Sequence, residues 1–377
     1  MISLPYNVLS LFSGAGGLDL GFEQQGFQLI ETIDIDPWSV LTLKKNRPKW
    51  KVIEGDVRDY HPKFKGEVDV LIAGVPCQGF SLGGNRDPKD ERNTLFREVV
   101  RIARSMQPKI VLIENVLNLR TMCVPGTREP FAEHIAASLR KIGYSVIYDV
   151  FKMCYFGVPQ TRRRFVFIAI KGELPRAYHL PAPGGTTTIR PFLYDLGQGK
   201  GKNFANHNPK WGFKSAVHSE TGEPFDANEE AIPVRFSRTG SDGNPIRSFD
   251  EPFPAVDTAT VWGWAQGNVK AARFEKDRNN GKYIRNPAAN VTLWRITASH
   301  LRTFTHREYA RLQTFPDEWE FIGSNKRSIH LQVGNAVPVA FAKVLAGNVK
   351  TVLDALRTGQ AFSAVAEYQG AQLRLLG

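Results

Sequence analysis

The chain has 377 residues, 42% of them hydrophobic and 23% charged, which is the make-up of a folded globular protein with room for a large domain and a smaller one. Three cysteines without CxxC spacing argue against a disulfide framework or structural zinc. Eight scattered histidines without an HxxxH pair give no metal pattern, so a reducing, cytoplasmic setting without a bound metal is expected. The formal net charge of +12 points to a polyanionic partner, nucleic acid first, with a merely basic enzyme as the plainer alternative.

The opening MISLPYNVLSLFSGAGG lacks a basic n-region and runs into glycines, so no secretory signal is expected. No apolar run approaches the roughly 20 residues of a membrane span. In chain order, NVLSLF, FQLIETID, KVIEGD, VDVLIAGV, KIVLIENV, YSVIYDVF and RFVFIAI predict strands. Between them GGLDLGFEQQG, PWSVLTLKKN, TLFREVVRIARSM and EPFAEHIAASLRKIG carry helical periodicity. Asp36 before Pro37 predicts an N-cap, and Gly143 a helix C-terminus. This alternation predicts an α/β fold with an open, doubly wound, mostly parallel sheet and helices on both faces. After about residue 175 the pattern dissolves into Gly-, Pro-, Asn- and Thr-rich sequence, a second and more irregular domain. Regular structure returns at THREYARLQTF, where Thr305 and Glu308 form a capping box, and ends in an amphipathic helix from about Ala336.

The chemistry-bearing residues fall on one rim of that sheet. The turn SGAGG after the first strand, with Gly14, Gly16 and Gly17, lets a ligand approach the backbone near a helix N-terminus. Asp34 ends the second strand, where an acidic residue would take ribose hydroxyls, and Asp56 follows the third. Together these describe an adenosine-type cofactor, although GxGG is not the dinucleotide fingerprint GxGxxG and a bare tight turn is the alternative. Cys77, in AGVPCQGFSLGG, ends the fourth strand directly after a proline and before a glycine-rich polar loop, a position suited to a nucleophile. Cys123 and Cys154 read as small buried hydrophobes. Glu114 ends the fifth strand after KIVLI, where desolvation would raise its pKa, with a salt bridge to an arginine as the plain alternative. In QTRRRFVF, Arg162 and Arg164 share one face at the start of a strand, with Arg163 opposite, and suit a base carbonyl and a phosphate.

In these motifs and their order the chain resembles the DNA (cytosine-5)-methyltransferases of bacterial restriction–modification systems. LFSGAGG resembles the motif that holds S-adenosylmethionine, GVPCQGFS the nucleophile motif, ENV the base-binding glutamate and QTRRR the arginine motif. REYARLQTFP and QVGNAVPVA resemble the two motifs after the recognition region. The resemblance covers nearly the whole chain outside residues 178–296 and tells against a dehydrogenase, since hydride transfer explains neither Cys77 nor Glu114. Three departures stand out. Ser10 occupies a position where the family often has Asp, Thr161 and Arg163 make the arginine motif more basic, and FPAVDTAT offers Ala255–Val256 where a Thr–aliphatic pair is common.

The resemblance implies a Rossmann-like S-adenosylmethionine-dependent domain over residues 1–177, completed by 329–377, with a target-recognition domain over 178–328. It implies Cys77 as the thiolate that adds to cytosine C6, Glu114 at N3, Arg164 on O2 and Arg162 on a phosphate and the closed loop. Cofactor contacts are implied for Phe12, Gly14, Gly16, Gly17, Leu18, Asp34, Ile35, Asp56, Val57, Pro76, Asn335 and Ala336. DNA contacts are expected from Gln78, Ser81, Arg92 and Arg97 in and after the loop that would clamp a flipped base. Others are expected from Arg273, Arg278 and Arg285 in the basic stretch 270–302, which holds eight Lys or Arg against Glu275 and Asp277. Trp262, Trp264 and Trp294 nearby read first as local core. The implied partner is double-stranded DNA, with a monomeric enzyme, no membrane and a restriction endonuclease acting on the same site. Methylation of tRNA, or DNA binding without catalysis on the same scaffold, remain as alternatives.

Overall fold

The chain alternates through β1 (Asn7–Leu11), α1 (Gly17–Glu23), β2 (Gln28–Asp34), α2 (Pro37–Asn46), β3 (Val52–Glu54), β4 (Val70–Gly74), α3 (Phe96–Met106), β5 (Ile110–Val116), α4 (Phe131–Arg140), β6 (Tyr144–Lys152) and β7 (Arg163–Lys171). The computed structural model describes residues 5–64, 66–76, 94–173, 179–197, 200, 204–208, 231–235, 247–258, 261–266, 270–275, 292–297 and 300–358. The seven strands form one sheet in the order β3-β2-β1-β4-β5-β7-β6. β3 through β5 run parallel, and β7 runs antiparallel to both β5 and β6. The order reverses between β1 and β4, which opens a crevice at the carboxyl ends of those strands.

Alternation along the strands builds two cores. Leu9, Leu11, Leu71, Ala73, Val111 and Ile113 face α3 and α4, whose buried stripe includes Val99, Ile102, Ile135 and Leu139. Val8, Val70, Ile72, Ile110 and Leu112 face the other way, against Leu18 and Phe22 of α1. The predicted ends hold. Asp36 Oδ2 accepts from the backbone N–H of Ser39 at 2.9 Å with Pro37 opening α2, and Gly143 closes the turn after α4 in the left-handed region at φ 90°.

Beyond the sheet come α5 (Arg190–Gly197), β8 (Ile232–Arg235), β9 (Trp262–Gln266), β10 (Lys270–Glu275), β11 (Thr292–Thr297), β12 (His300–Thr303), α6 (His306–Leu312), α7 (Lys326–Asn335) and α8 (Val339–Thr358). β12, β9 and β8 make an antiparallel sheet, and β10 pairs with β11. A third core joins Ala15, Leu20 and Leu43 from the first lobe to Phe253, Trp262, Trp264, Phe304, Tyr309 and Trp319. The expected capping box of α6 is present, and its Glu308 also holds Arg302 at 2.7 Å and accepts from Trp264 Nε1 at 2.7 Å, all of it buried. Trp262 and Trp264 are thus core, as read from the sequence.

One expectation fails here. Cys123 is exposed rather than buried, since it lies in a surface turn bridging to Pro130; Cys154 is buried. The stretch 326–358 has the length and mean hydropathy of a membrane span, but 61% of its most apolar window is packed inside the protein. α8 is a core helix. It lays Phe341, Ala342, Leu345, Val349 and Leu353 onto the second core.

The return of α8 depends on glycines in α1. A Cβ on Gly17 would stand 2.1 Å from the carbonyl oxygen of Val337, and one on Gly21 would stand 2.4 Å from Ala342 Cβ and 2.6 Å from the Lys343 nitrogen. Backbone cannot yield as a flexible side chain can. Gly21→Ala is expected to cost about 1–3 kcal/mol in urea denaturation, whereas Gly55→Ala, with nothing within 4 Å of its Cβ position, should stay within about 0.5 kcal/mol.

Candidate active site

The crevice between β1 and β4 is lined first by the turn after β1. Phe12 (φ 55°), Gly14 (φ 53°) and Gly16 (φ 84°) all adopt left-handed backbone, a conformation that a phenylalanine takes at a cost. Asp34, at the end of β2, holds this turn from outside. Its Oδ2 accepts from the Gly14 N–H at 2.7 Å and its Oδ1 from the Asp36 N–H at 2.8 Å. Burial pushes the Asp34 carboxyl above the ordinary range against these bonds. Beside it Ile35 is 64% exposed, an apolar surface next to a carboxylate.

The three glycines differ in what surrounds them. Only the Cβ position of Gly14 opens on empty space. At Gly16 it would meet Leu43 at 2.6 Å, and at Gly17 the Val337 carbonyl, so these two serve close packing within the protein. Leu18, Val57 and Ala336 likewise turn their side chains into the cores or are buried. Asp56 caps a 3-10 turn, Val57–Asp59, and its carboxylate is taken by Arg58 at 2.5 Å, which lowers its pKa. Asn335 is exposed at the end of α7, and Pro76 is the last residue described before the cysteine. An adenosine-bearing cofactor fits what remains: open space at Gly14, the free apolar face of Ile35, and an Asp34 carboxylate with lone pairs to spare.

On the same rim, β5 presents Glu114, paired in register with Gly74 of β4 and Val166 of β7. It is buried, and burial pushes its carboxyl up to about 7, against the pull of Arg164. Arg164 Nε lies 2.7 Å from Glu114 Oε1. The plain alternative, an ion pair, is therefore present, and its partner is the arginine assigned to the base. A carboxyl near neutrality beside a guanidinium, at the mouth of a crevice, can give or take a proton and orient a planar polar ring.

Arg162 departs from expectation. It is buried, and its Nη1 donates to the carbonyls of Val256 (2.7 Å) and Gly334 (2.9 Å), so it ties chain segments together and faces no open surface. Gln160 and Gln313, not singled out in the sequence, extend this tie. Gln160 Nε2 donates to Gln313 Oε1 at 2.9 Å, the Val256 N–H donates to Gln160 Oε1 at 2.8 Å, and Gln313 Nε2 donates to the Val333 carbonyl at 2.7 Å. Asp19, wholly buried in α1, was also missed; its signal is an acidic residue in an otherwise apolar turn, GLDLGF.

Cys77, Gln78, Ser81, Arg92, Arg278 and Arg285 lie outside the described residues. Arg97 is exposed on the first turn of α3. Arg273 lies in β10 opposite Trp294 of β11.

A doubly wound sheet with a crevice at its switch point and a buried acid on the rim has the layout of an α/β enzyme that binds its ligand at the carboxyl ends of the strands. The family model for C-5 cytosine-specific DNA methylases matches residues 6–351, and the chain belongs to that family, whose members take the methyl group from S-adenosylmethionine. It is 32% identical over 353 residues to the type II methyltransferase M.Eco47II of Escherichia coli, covering 93% of this chain and 80% of that one. It is 31% identical over 358 residues to M.NgoPII of Neisseria gonorrhoeae, covering 93% and 97%. Among solved structures, the Entamoeba histolytica methyltransferase EhMeth superposes with a TM-score of 0.58 at 15% identity, over 93% of this chain and 99% of that one. At that identity the likeness speaks for the fold.

The raised carboxyls make stability depend on pH. With the folded Glu114 near 7 and its ordinary value at 4.5, the folded chain holds a proton that the unfolded chain has lost in between. That contribution is full below 4.5 and is lost as pH rises through 7. Asp19, raised by burial from 3.8 to about 7, acts in the same direction. Glu114→Gln is expected to flatten the decline of the urea midpoint between pH 5 and pH 8; a slope equal to that of the wild type would contradict the raised value.

Proposed function

We propose that the chain is the modification enzyme of a restriction–modification system, methylating C5 of a cytosine flipped out of a specific DNA duplex. The observation that carries the residue-level reading is the pairing of buried Glu114 with half-buried Arg164 on the rim beside Gly74, three residues before Cys77.

Cytosine C5 is a weak nucleophile. The Cys77 thiolate adds to C6, forming an S–C6 bond and breaking the C5–C6 π bond, while Glu114, with a carboxyl near neutrality, gives its proton to N3. Arg164 beside it holds O2 and polarises the ring. Bound S-adenosylmethionine supplies the electrophilic methyl group that C5 takes up. Loss of the C5 proton to a base then restores the C5–C6 double bond, Cys77 leaves as thiolate, and the N3 proton returns to Glu114. Asp34 and Ile35 are the residues placed to hold the ribose and one face of the adenine. The flipped base costs a few kcal/mol in lost pairing and stacking, which the loop from Ser81 to Arg97 and the basic stretch 270–302 offset through phosphate contacts. The enzyme acts in the cytoplasm, as a monomer, on the site that a cognate endonuclease cleaves.

Labelled methyl transfer to unmethylated duplex DNA, with base-resolved readout, tests this. 5-Methylcytosine in one sequence context is expected; label in bulk tRNA and none in DNA would move the substrate to RNA. Cys77→Ser should abolish turnover while duplex binding persists, and Glu114→Gln should lower kcat by about 10²–10⁴-fold. Turnover by Cys77→Ser near the wild-type rate would refute the covalent step.

A further inference from the structure

Beneath the glycine turn lies a closed polar pocket that the reaction does not use. Ser10 of β1 and Thr32 of β2 are register partners on the α1 face of the sheet, and both are buried, as are Ser13 of the turn and Asp19 of α1. The rest of that face is apolar, with Val8, Leu18, Phe22, Ile72 and Val337. Ser13 Oγ donates to Ser10 Oγ at 2.9 Å. The Asp19 carboxyl lies close enough to both hydroxyls for them to work against the burial that raises its pKa, yet neither of its oxygens makes a hydrogen bond, and Thr32 Oγ1 makes none either. An acid kept this dry and this poorly paired costs folding free energy that apolar packing would have spared.

The turn above it explains why an anchor is needed there. Phe12, left-handed at φ 55°, persists there only where the surroundings hold it, while Gly14 and Gly16 take the same region without strain. From outside, Asp34 fixes the Gly14 N–H. The Ser13 N–H donates to the Ile33 carbonyl at 3.1 Å, and the Ser13 hydroxyl points inward and donates to Ser10 Oγ. We propose that Asp19 is a positioning residue of the cofactor grip: its carboxyl, set beside the Ser13–Ser10 hydroxyl pair, holds the Phe12–Gly16 turn against α1. Asp34 and Asp19 thus clamp the turn from its two sides, one at a backbone N–H and the other beside side-chain hydroxyls. Position 10 faces the same pocket, so a carboxyl supplied from β1 can stand in for one supplied from α1.

This inference rests on the assignment of the turn to S-adenosylmethionine, and its test separates the two. Titration calorimetry of DNA-free protein gives the S-adenosylmethionine Kd directly. Asp19→Ala is expected to weaken it about tenfold, and Ser13→Ala severalfold, with duplex affinity in the absence of cofactor unchanged. Adding Ser10→Asp to Asp19→Ala should recover most of the loss. Ser10→Asp alone should weaken binding, because two carboxyls then share one dry pocket. A folded Asp19→Ala with the wild-type Kd, or a folded double variant that binds no better than Asp19→Ala, would overturn the proposal. Should Asp19→Ala not fold, Ser13→Ala decides alone: a wild-type Kd there overturns the link. Wild-type protein that bound no S-adenosylmethionine would overturn the functional reading itself.

Discussion

The close approach of the first helix and the last is the constraint on which the rest depends. Gly17 and Gly21 admit Val337 and Ala342 to distances that a side chain would forbid, and through that contact the end of the chain roofs one face of the sheet. The same approach brings the α7–α8 junction, with Asn335 and Ala336, to the side of the turn after β1. The sheet alone could form from the first 171 residues. A crevice with a second wall needs the chain to come back.

Within that frame the electrostatics are economical. Burial, not a neighbouring charge, lifts the carboxyls of Glu114, Asp34 and Asp19, and each meets a different counterweight: a guanidinium, a pair of backbone N–H groups, and hydroxyls. Three buried acids therefore sit in three different settings, which a count of acidic residues would not distinguish. Asp56, close in sequence but open to solvent and bound to Arg58, moves the other way.

Much of this was legible in the sequence. Strands read from apolar runs, the Asp36–Pro37 cap, the capping box at Thr305 and the burial of Trp262 and Trp264 all follow from local chemistry that tertiary contacts reinforce. Glu114 was legible because KIVLI leaves no doubt that the strand before it is buried. What was not legible depended on distant partners. The close packing at Gly16 and Gly17 could not be read locally, because Leu43 and Val337 arrive from elsewhere in the chain. Arg162 shares an alternation with Arg164, but it lies one residue before β7 begins and turns inward to the carbonyls of Val256 and Gly334. Cys123 has no sequence neighbour that reveals its exposure. Asp19 was hidden because an acid in the first turn of a helix is ordinarily a solvated dipole partner.

The chain around Ile189 has one more consequence. The Ile189 N–H donates to the carbonyl of Glu251 and the Arg190 N–H to that of Phe249, while the Thr161 N–H and Phe253 carbonyl meet nearby. The stretches 189–190 and 249–251 are thus stitched side by side, like the two stubs of a graft. Whatever lies between them starts and finishes at one place, and lengthening such an insert changes its closure entropy only logarithmically. Residues 191–248 can therefore be lengthened or shortened while the sheet, its crevice and the helices that close it stay as they are.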